Sequence, residues 1–217
     1  MIIEYANFDI ANNDSELKTE IGYACQFNID TIAILPNSLK IIRAMVPDHI
    51  SISTPIDFPI GASDPKSRLS QIEFAAKNGA NKVDILVPTH SVCNRKYDKL
   101  RDDIKSNTEV CQKLNLSVRY ILEYRVFTYE TLYKVAQIIG SYGISEVFPS
   151  SGYMLDNIMD NILAGVMINK KVPNINIICN GNIWNDIQID NIIKNNLYGL
   201  RVHSLNGLKL VYQKITK

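Results

Sequence analysis

Asn78-Gly-Ala-Asn-Lys-Val-Asp-Ile-Leu-Val-Pro88 holds the pattern that decides the fold of this chain. Asn78-Gly79 reads as a helix stop, and Val83-Asp-Ile-Leu-Val87 after it is a nearly continuous apolar run. A short apolar run of this kind belongs to a strand covered on both faces, as in a parallel sheet. Thr31-Ile-Ala-Ile-Leu35 and Ile175-Asn-Ile-Ile-Cys179 repeat the pattern.

Working outward, the stretch before this strand reads as a helix over 65–78. Ser63, Asp64 and Pro65 are N-terminal signals, and Leu69, Ile72, Ala75 and Ala76 keep helical spacing. A second clear helix covers 128–141: Thr128 opens it, Glu130 and Thr131 lie in its first turn, and Leu132, Val135 and Ile139 form its stripe. Strands are expected at 1–5, 30–35, 50–55, 82–87, 117–123, 144–148, 174–179 and 198–202. Helices are expected at 14–27, 37–45, 65–78, 95–114, 128–141, 154–169, 185–195 and 205–215. Strict β/α alternation of this kind predicts an α/β chain folded as a (β/α)₈ TIM barrel, a single domain over 1–217. The rival is an open doubly wound sheet, but no GxGxxG or GxxxxGK[ST] follows any strand to give it a nucleotide site.

Composition narrows the function. The 217 residues are 46% hydrophobic, with 23 basic against 22 acidic side chains and no basic stripe, so no nucleic-acid partner is expected. No apolar run approaches the roughly 18 residues of a membrane span, so no membrane partner is expected either. Cys25, Cys93, Cys111 and Cys179 form no CxxC pair and no metal-type spacing. They read as reduced thiols of a cytoplasmic protein, with no metal and no cofactor. Met1-Ile-Ile-Glu-Tyr-Ala-Asn7 has no basic region ahead of an apolar stretch and does not read as a signal peptide.

Several motifs, in order, resemble the deoxyribose-phosphate aldolase family. Thr31-Ile-Ala-Ile-Leu-Pro36 resembles its second strand, and Thr54-Pro-Ile-Asp-Phe-Pro-Ile-Gly61 resembles the Phe-Pro-x-Gly segment after strand three. Gly79-Ala-Asn-Lys-Val-Asp84 resembles its Gly-Ala-x-Glu-Val-Asp. Ile121-Leu-Glu123, Phe148-Pro-Ser-Ser-Gly152 and Asn180-Gly-Asn-Ile183 stand where strands five, six and seven end. The likeness runs from about residue 30 to about residue 204. It implies a barrel whose chemistry sits at the C-terminal ends of the strands, acting on a small carbonyl compound that can carry a phosphate.

The resemblance also exposes gaps. It implies a Schiff-base lysine on strand six, where this chain has Phe148, and no lysine lies between Lys134 and Lys170. It implies a second lysine on strand seven, where Ile178 falls. Lys82 begins strand four, at the wrong end of the barrel. Each anion-binding turn lacks one glycine: Asn180-Gly181-Asn182 follows strand seven, and Arg201-Val-His-Ser-Leu-Asn206 follows strand eight. The candidate catalytic residues are Asp84, Glu123 and His203. Asp84 would relay protons, the role the resemblance assigns it, or else be a carboxylate locked by backbone donors or a lysine. His203 would be a base near neutral pH, or a solvated or core histidine. Glu4, Asp57, Arg119, Phe148, Ser150, Ser151, Asn180, Asn182 and Ser204 are the candidate binding residues. Arg119 and Glu123 share one side of strand five and could instead form a buried pair. Ser150, Ser151 and Gly152 are expected to open the following helix and offer backbone donors to an anion. His90 reads as a loop histidine and Cys179 as a buried apolar cysteine.

Three functions remain open at this point. One is an enzyme doing acid/base chemistry (lyase, dehydratase, isomerase or cyclase type) without an imine. Another is an inert barrel that binds a ligand or partner. The third is a genuine aldolase of 2-deoxyribose 5-phosphate type. A homodimer is the assembly considered, because barrels of this size often dimerise.

Overall fold

The computed structural model describes residues 1–154 and 157–216. Eight parallel strands close into a barrel in sequence order, each paired with the next and the last with the first. The strands are β1 (Ile2–Asn7), β2 (Thr31–Ile34), β3 (Ser51–Ile56), β4 (Lys82–Leu86), β5 (Ser117–Ile121), β6 (Glu146–Phe148), β7 (Asn176–Gly181) and β8 (Gly199–Val202). The helices between and after them are α1 (Asp14–Ala24), α2 (Leu39–Arg43), α3 (Pro65–Lys77), α4 (Thr89–Cys93), α5 (Tyr97–Lys113), α6 (Tyr129–Ser141), α7 (Ile158–Lys171), α8 (Asp186–Lys194) and α9 (Leu205–Ile215). The barrel expected from the alternation is the one formed, and the open sheet is excluded by the β1–β8 pairing.

Local chemistry sets the helix starts. Asn13 and Asn185 build capping boxes with Glu16 and Gln188, Asp64 accepts from the Lys66 and Ser67 amides, and Thr128 accepts from the Thr131 amide. Each side chain satisfies amides that a helix start leaves orphaned. Two expected helices differ. The 37–45 stretch begins as a 3₁₀ turn over Pro36–Ser38 before α2, and the 95–114 stretch is preceded by the extra short α4. Of the expected helix 154–169, residues 155 and 156 lie outside the described residues, and α7 starts only at Ile158.

Strand alternation sorts the barrel into two cores. Side chains pointing outward, such as Tyr5, Val83, Ile85, Tyr120, Val147, Ile177 and Cys179, pack under the helices. Inside the barrel a separate small cluster joins Leu86, Ile121, Phe148 and Ile178, with Ile2 and Phe58 against it. Glu4, Asp84, Arg119 and Arg201 also point inward, with Ser53 among them.

Candidate active site

The register places four charges face to face. Asp84 is the Cα partner of Arg119 across β4 and β5, and Glu4 is the partner of Arg201 across β1 and β8. Their side chains meet in the barrel interior. Asp84 binds Arg119 Nε through one oxygen and Arg201 Nη2 through the other, each at 2.7 Å, and Ser53 Oγ donates to it at 3.0 Å. Glu4 accepts from Arg119 Nη1 at 2.5 Å and from Arg201 Nη2 at 2.7 Å. All four residues are at most 1% exposed. Burial works against charge on Glu4 and Asp84, but the two guanidiniums outweigh it and hold both carboxyls below their ordinary range. The carboxylates in turn raise Arg119. Two buried cations and two buried anions therefore form a lattice of balanced charge, in which Arg119 Nη2 keeps no hydrogen-bond partner.

Phe148 closes the lattice on one side. Its ring lies beneath the Arg201 and Arg119 guanidinium carbons, at 4.1 and 4.9 Å from the ring centre. No lysine is among the buried polar residues described, and Lys82 Nζ donates to Thr31 Oγ1 at the opposite end of the strands.

Several expectations are revised here. Glu4, a candidate binding residue, lies inside β1 and is taken up by Arg119 and Arg201 in the lattice, away from the mouth. Asp84 is held by Arg119, Arg201 and Ser53, in place of the backbone donors or lysine expected for a locked carboxylate. Arg119 pairs with Glu4 and Asp84, with Glu146 at 3.6 Å, whereas Glu123 is elsewhere. The reason is that β5 ends at Ile121, and Glu123 takes a left-handed φ of 57°, which breaks the alternation that would have put 119 and 123 on one side.

At the C-terminal mouth a second set of expected residues is joined by hydrogen bonds. Glu123 Oε1 accepts from the Ser151 amide at 2.5 Å. The Ser150 carbonyl accepts from Asn180 Nδ2 at 3.0 Å, and Asn180 Oδ1 lies 2.5 Å from His203 Nε2. Asn161, on α7, supports the arc from below: its Nδ2 donates to Ser150 Oγ at 2.9 Å, and its Oδ1 accepts from the Asn180 amide at 3.2 Å. Ser150 to Gly152 thus belong to a turn of their own, in which Ser150 Oγ accepts from the Gly152 amide at 3.3 Å. They do not open a helix, because Asn157 caps α7 several residues later.

This arc fixes the protonation of His203. A carbonyl only accepts, so the Asn180 nitrogen faces Ser150 and the Asn180 oxygen faces the ring. Nε2 must then carry the hydrogen, which leaves Nδ1 as the acceptor of a neutral imidazole. Burial, together with the neighbouring Arg201 guanidinium, pushes His203 down to about 3, so the ring is uncharged at neutral pH. It does not titrate near neutrality, as the sequence reading expected of a base. His203 forms part of the walls of two cavities of about 250 and 280 Å³. Phe8, Phe58 and Tyr153 form a chain of rings along the first, with centroids 5.3 and 5.4 Å apart and Phe8 edge-on to His203 at 5.7 Å. Gly152 also lines both cavities and has a φ of 74°; a Cβ there would lie 2.8 Å from His203 Cε1. Only glycine lets the turn approach the ring so closely.

The remaining candidates stand apart. Asp57 folds back on its own loop, accepting from the Ala62 and Ser63 amides at 3.2 and 3.0 Å. Ser204 caps α9 by accepting from the Gly207 amide at 3.1 Å. Asn182 is exposed on the wall of the second cavity. His90 lies in α4, and Cys179 is buried under the helices. Sequence reasoning missed Arg201, Ser53 and Asn161. Arg201 carried a usable signal, a charge inside the apolar run Gly199-Leu-Arg-Val202, the same anomaly that singles out Asp84. Asn161 carried none, since one more asparagine is unremarkable in this chain.

No family model matches the chain. Its sequence is similar to a deoxyribose-phosphate aldolase of Enterococcus faecalis, 28% identical over 134 residues that span 61% of this chain and 60% of the relative. A deoxyribose-phosphate aldolase of Clostridium botulinum is 25% identical over 138 residues, 64% of this chain and 62% of the relative. The chain thus spans about three fifths of the length of the curated relatives it matches. Among solved structures, QR15, an aldolase, superposes with a TM-score of 0.86 at 15% identity, covering 98% of this chain and 94% of its own. By sequence over about three fifths of its length the chain is similar to the deoxyribose-phosphate aldolases, and over nearly its whole length it has the fold of an aldolase barrel.

Proposed function

We propose that this protein acts on a small hydroxycarbonyl compound at the His203 mouth, by proton transfer and without an imine. The observation that carries the reading is the tautomer of His203. A neutral imidazole with Nδ1 as acceptor stands at the C-terminal end of the strands, where the chemistry of this fold is done. Nδ1 would accept the hydroxyl proton of a β-hydroxy carbonyl compound. As that proton leaves, the bond between the α and β carbons breaks, its electron pair passes to the carbonyl as an enolate, and the hydroxyl carbon becomes an aldehyde. Nδ1 then gives the proton to the enolate carbon, which releases acetaldehyde and restores the neutral ring. Asn180 and the Glu123-anchored turn hold the ring in place. Phe148, where the resemblance implies the imine lysine, supplies no amine. The names of the relatives suggest the substrate class, a phosphorylated deoxysugar such as 2-deoxyribose 5-phosphate.

A second reading, a binding barrel without turnover, is favoured by the balanced lattice, which leaves Asp84 no role as a proton relay. One experiment separates these from an imine aldolase. The protein is incubated with 2-deoxyribose 5-phosphate, with and without borohydride, while acetaldehyde release and protein mass are followed. Turnover with no reduced adduct supports the proposal. Saturable binding without turnover supports the binding barrel, and a reduced adduct on any lysine overturns both in favour of imine chemistry.

A further inference from the structure

Outside the barrel, between α3, α4 and α5, lies a cavity of about 430 Å³ that the mouth chemistry does not use. Arg68 of α3 stands in its wall. This side chain is 0% exposed, yet its Nε and Nη1 have no hydrogen-bond partner; only Nη2 is engaged, donating to the Leu86 carbonyl at the end of β4. A buried guanidinium with unsatisfied N–H groups is costly and calls for a partner.

Two carboxylates flank it without satisfying it. Asp57 Oδ2 is 3.7 Å from Nη1, and Asp103 Oδ1 is 3.6 Å from Nε. Both distances suit ion pairs and exceed hydrogen-bond length. Asp57 is committed to the Ala62 and Ser63 amides, and Asp103 to Asn107 Nδ2 at 3.0 Å, so neither is placed to close on the guanidinium. Donor and acceptor stand side by side with a gap between them. A hydroxyl placed beside such a pair, at the apex of a triangle, accepts from the arginine N–H and donates to the carboxylate at once.

Charge excludes the obvious anionic ligands. Asp64, Asp102 and Asp103 line the cavity against Arg68 and Lys99, and Asp57 adds a further carboxylate behind Arg68. A phosphate or carboxylate would enter a field of net negative sign. The rim instead offers the hydroxyls of Ser63, Ser91 and Ser106. We propose that this cavity is a second ligand site, distinct from the mouth, which takes a neutral polyhydroxylated small molecule such as a sugar or polyol through hydroxyls placed beside the pair of Arg68 and Asp103.

The test is an amide-resolved NMR titration of the full chain with glycerol, D-ribose and D-ribose 5-phosphate. At least one neutral probe should give saturable shifts in segments 61–65, 90–91 and 99–106, with the phosphate ester binding there about tenfold more weakly or worse. Ser106→Leu, which fills the rim without touching Arg68, should abolish those shifts and leave the His203 mouth unchanged. Arg68→Lys, which keeps the charge but loses the fork, should weaken the same response. The inference is overturned if neither neutral probe saturates these segments, if the shifts survive Ser106→Leu, or if ribose 5-phosphate binds there as well as ribose. Solvent alone would then fill the cavity.

Discussion

The guanidinium carbon of Arg201 sits 4.1 Å from the centre of the Phe148 ring. Arg119 shares the same ring at 4.9 Å. Two like charges converge on one aromatic ring because Glu4 and Asp84 hold each of them. The ring's negative face is complementary to cations in a way an aliphatic side chain is not. Phe148 therefore does more than fill the space where the resemblance implies a lysine. It completes the coordination of a buried lattice.

Phe148→Leu tests this. The exchange keeps an apolar side chain but removes two desolvated cation–π contacts. We expect a loss of about 2–3 kcal/mol, from the two lost contacts together with the volume left unfilled. Urea unfolding with an unchanged m-value gives the number. A loss under about 1 kcal/mol would mean that the ring only fills space.

Asp84→Asn probes the lattice from the acid side. Removing one carboxylate leaves Arg119 and Arg201 sharing Glu4, with a net buried positive charge. Breaking a buried pair in this way costs about 3–5 kcal/mol. Combining it with Arg119→Gln restores the charge balance, so the double variant should lose clearly less than the sum of the two singles. Strict additivity in a double-mutant cycle would show that the four groups are not coupled.

How much of this was legible beforehand follows from the physics of each signal. The barrel was legible because doubly covered strands and amphipathic helices imprint different periods on the chain, as in Val83–Val87 against Leu132–Ile139. Asp84 stood out as a charge in an apolar run. That Glu4, Arg119 and Arg201 are its partners was not legible, because register brings them together from strands far apart in sequence. The mouth arc was half legible: Glu123, Ser150, Ser151 and His203 each follow a strand, and Asn180 lies near the end of β7. That Asn180 would set the tautomer of His203 depends on the direction of one amide, which no sequence pattern records. Asp57 misled because its position after β3 fits a mouth residue, while its φ of 59° turns it back toward its own loop.

The pH dependence of stability should show two arms. His203 has a folded value of about 3 against an ordinary 6.5, so the unfolded chain takes up a proton that the fold refuses. That contribution is complete above about 6.5 and is lost as pH falls toward 3, at no more than about 1.4 kcal/mol per pH unit. Glu4 and Asp84 are lowered, so their contribution is present above about 4.5 and is lost as pH falls through their folded values. Asp103 is raised by burial and runs the other way: the stability it confers when protonated is lost as pH rises through its folded value. His203→Gln should flatten the arm between 6.5 and 4.5 and, below 4.5, leave only the contribution of Glu4 and Asp84. An unchanged upper arm would assign it to another group.

The tautomer itself is open to direct measurement. In ¹⁵N spectra of the histidine side chains, His203 should show a protonated Nε2 and an unprotonated Nδ1 from neutral pH down to about 4, since its folded value is about 3. Asn180→Asp replaces the accepting amide with a carboxylate beside Nε2, which favours the imidazolium and should raise the His203 value toward neutrality. The two spectra together separate position from charge. If the wild-type ring carries its hydrogen on Nδ1, the Ser150–Asn180–His203 arc is oriented the other way and the acceptor proposed for the mouth does not exist. If Asn180→Asp leaves the titration in place, Asn180 holds the ring by contact alone, without governing its protonation.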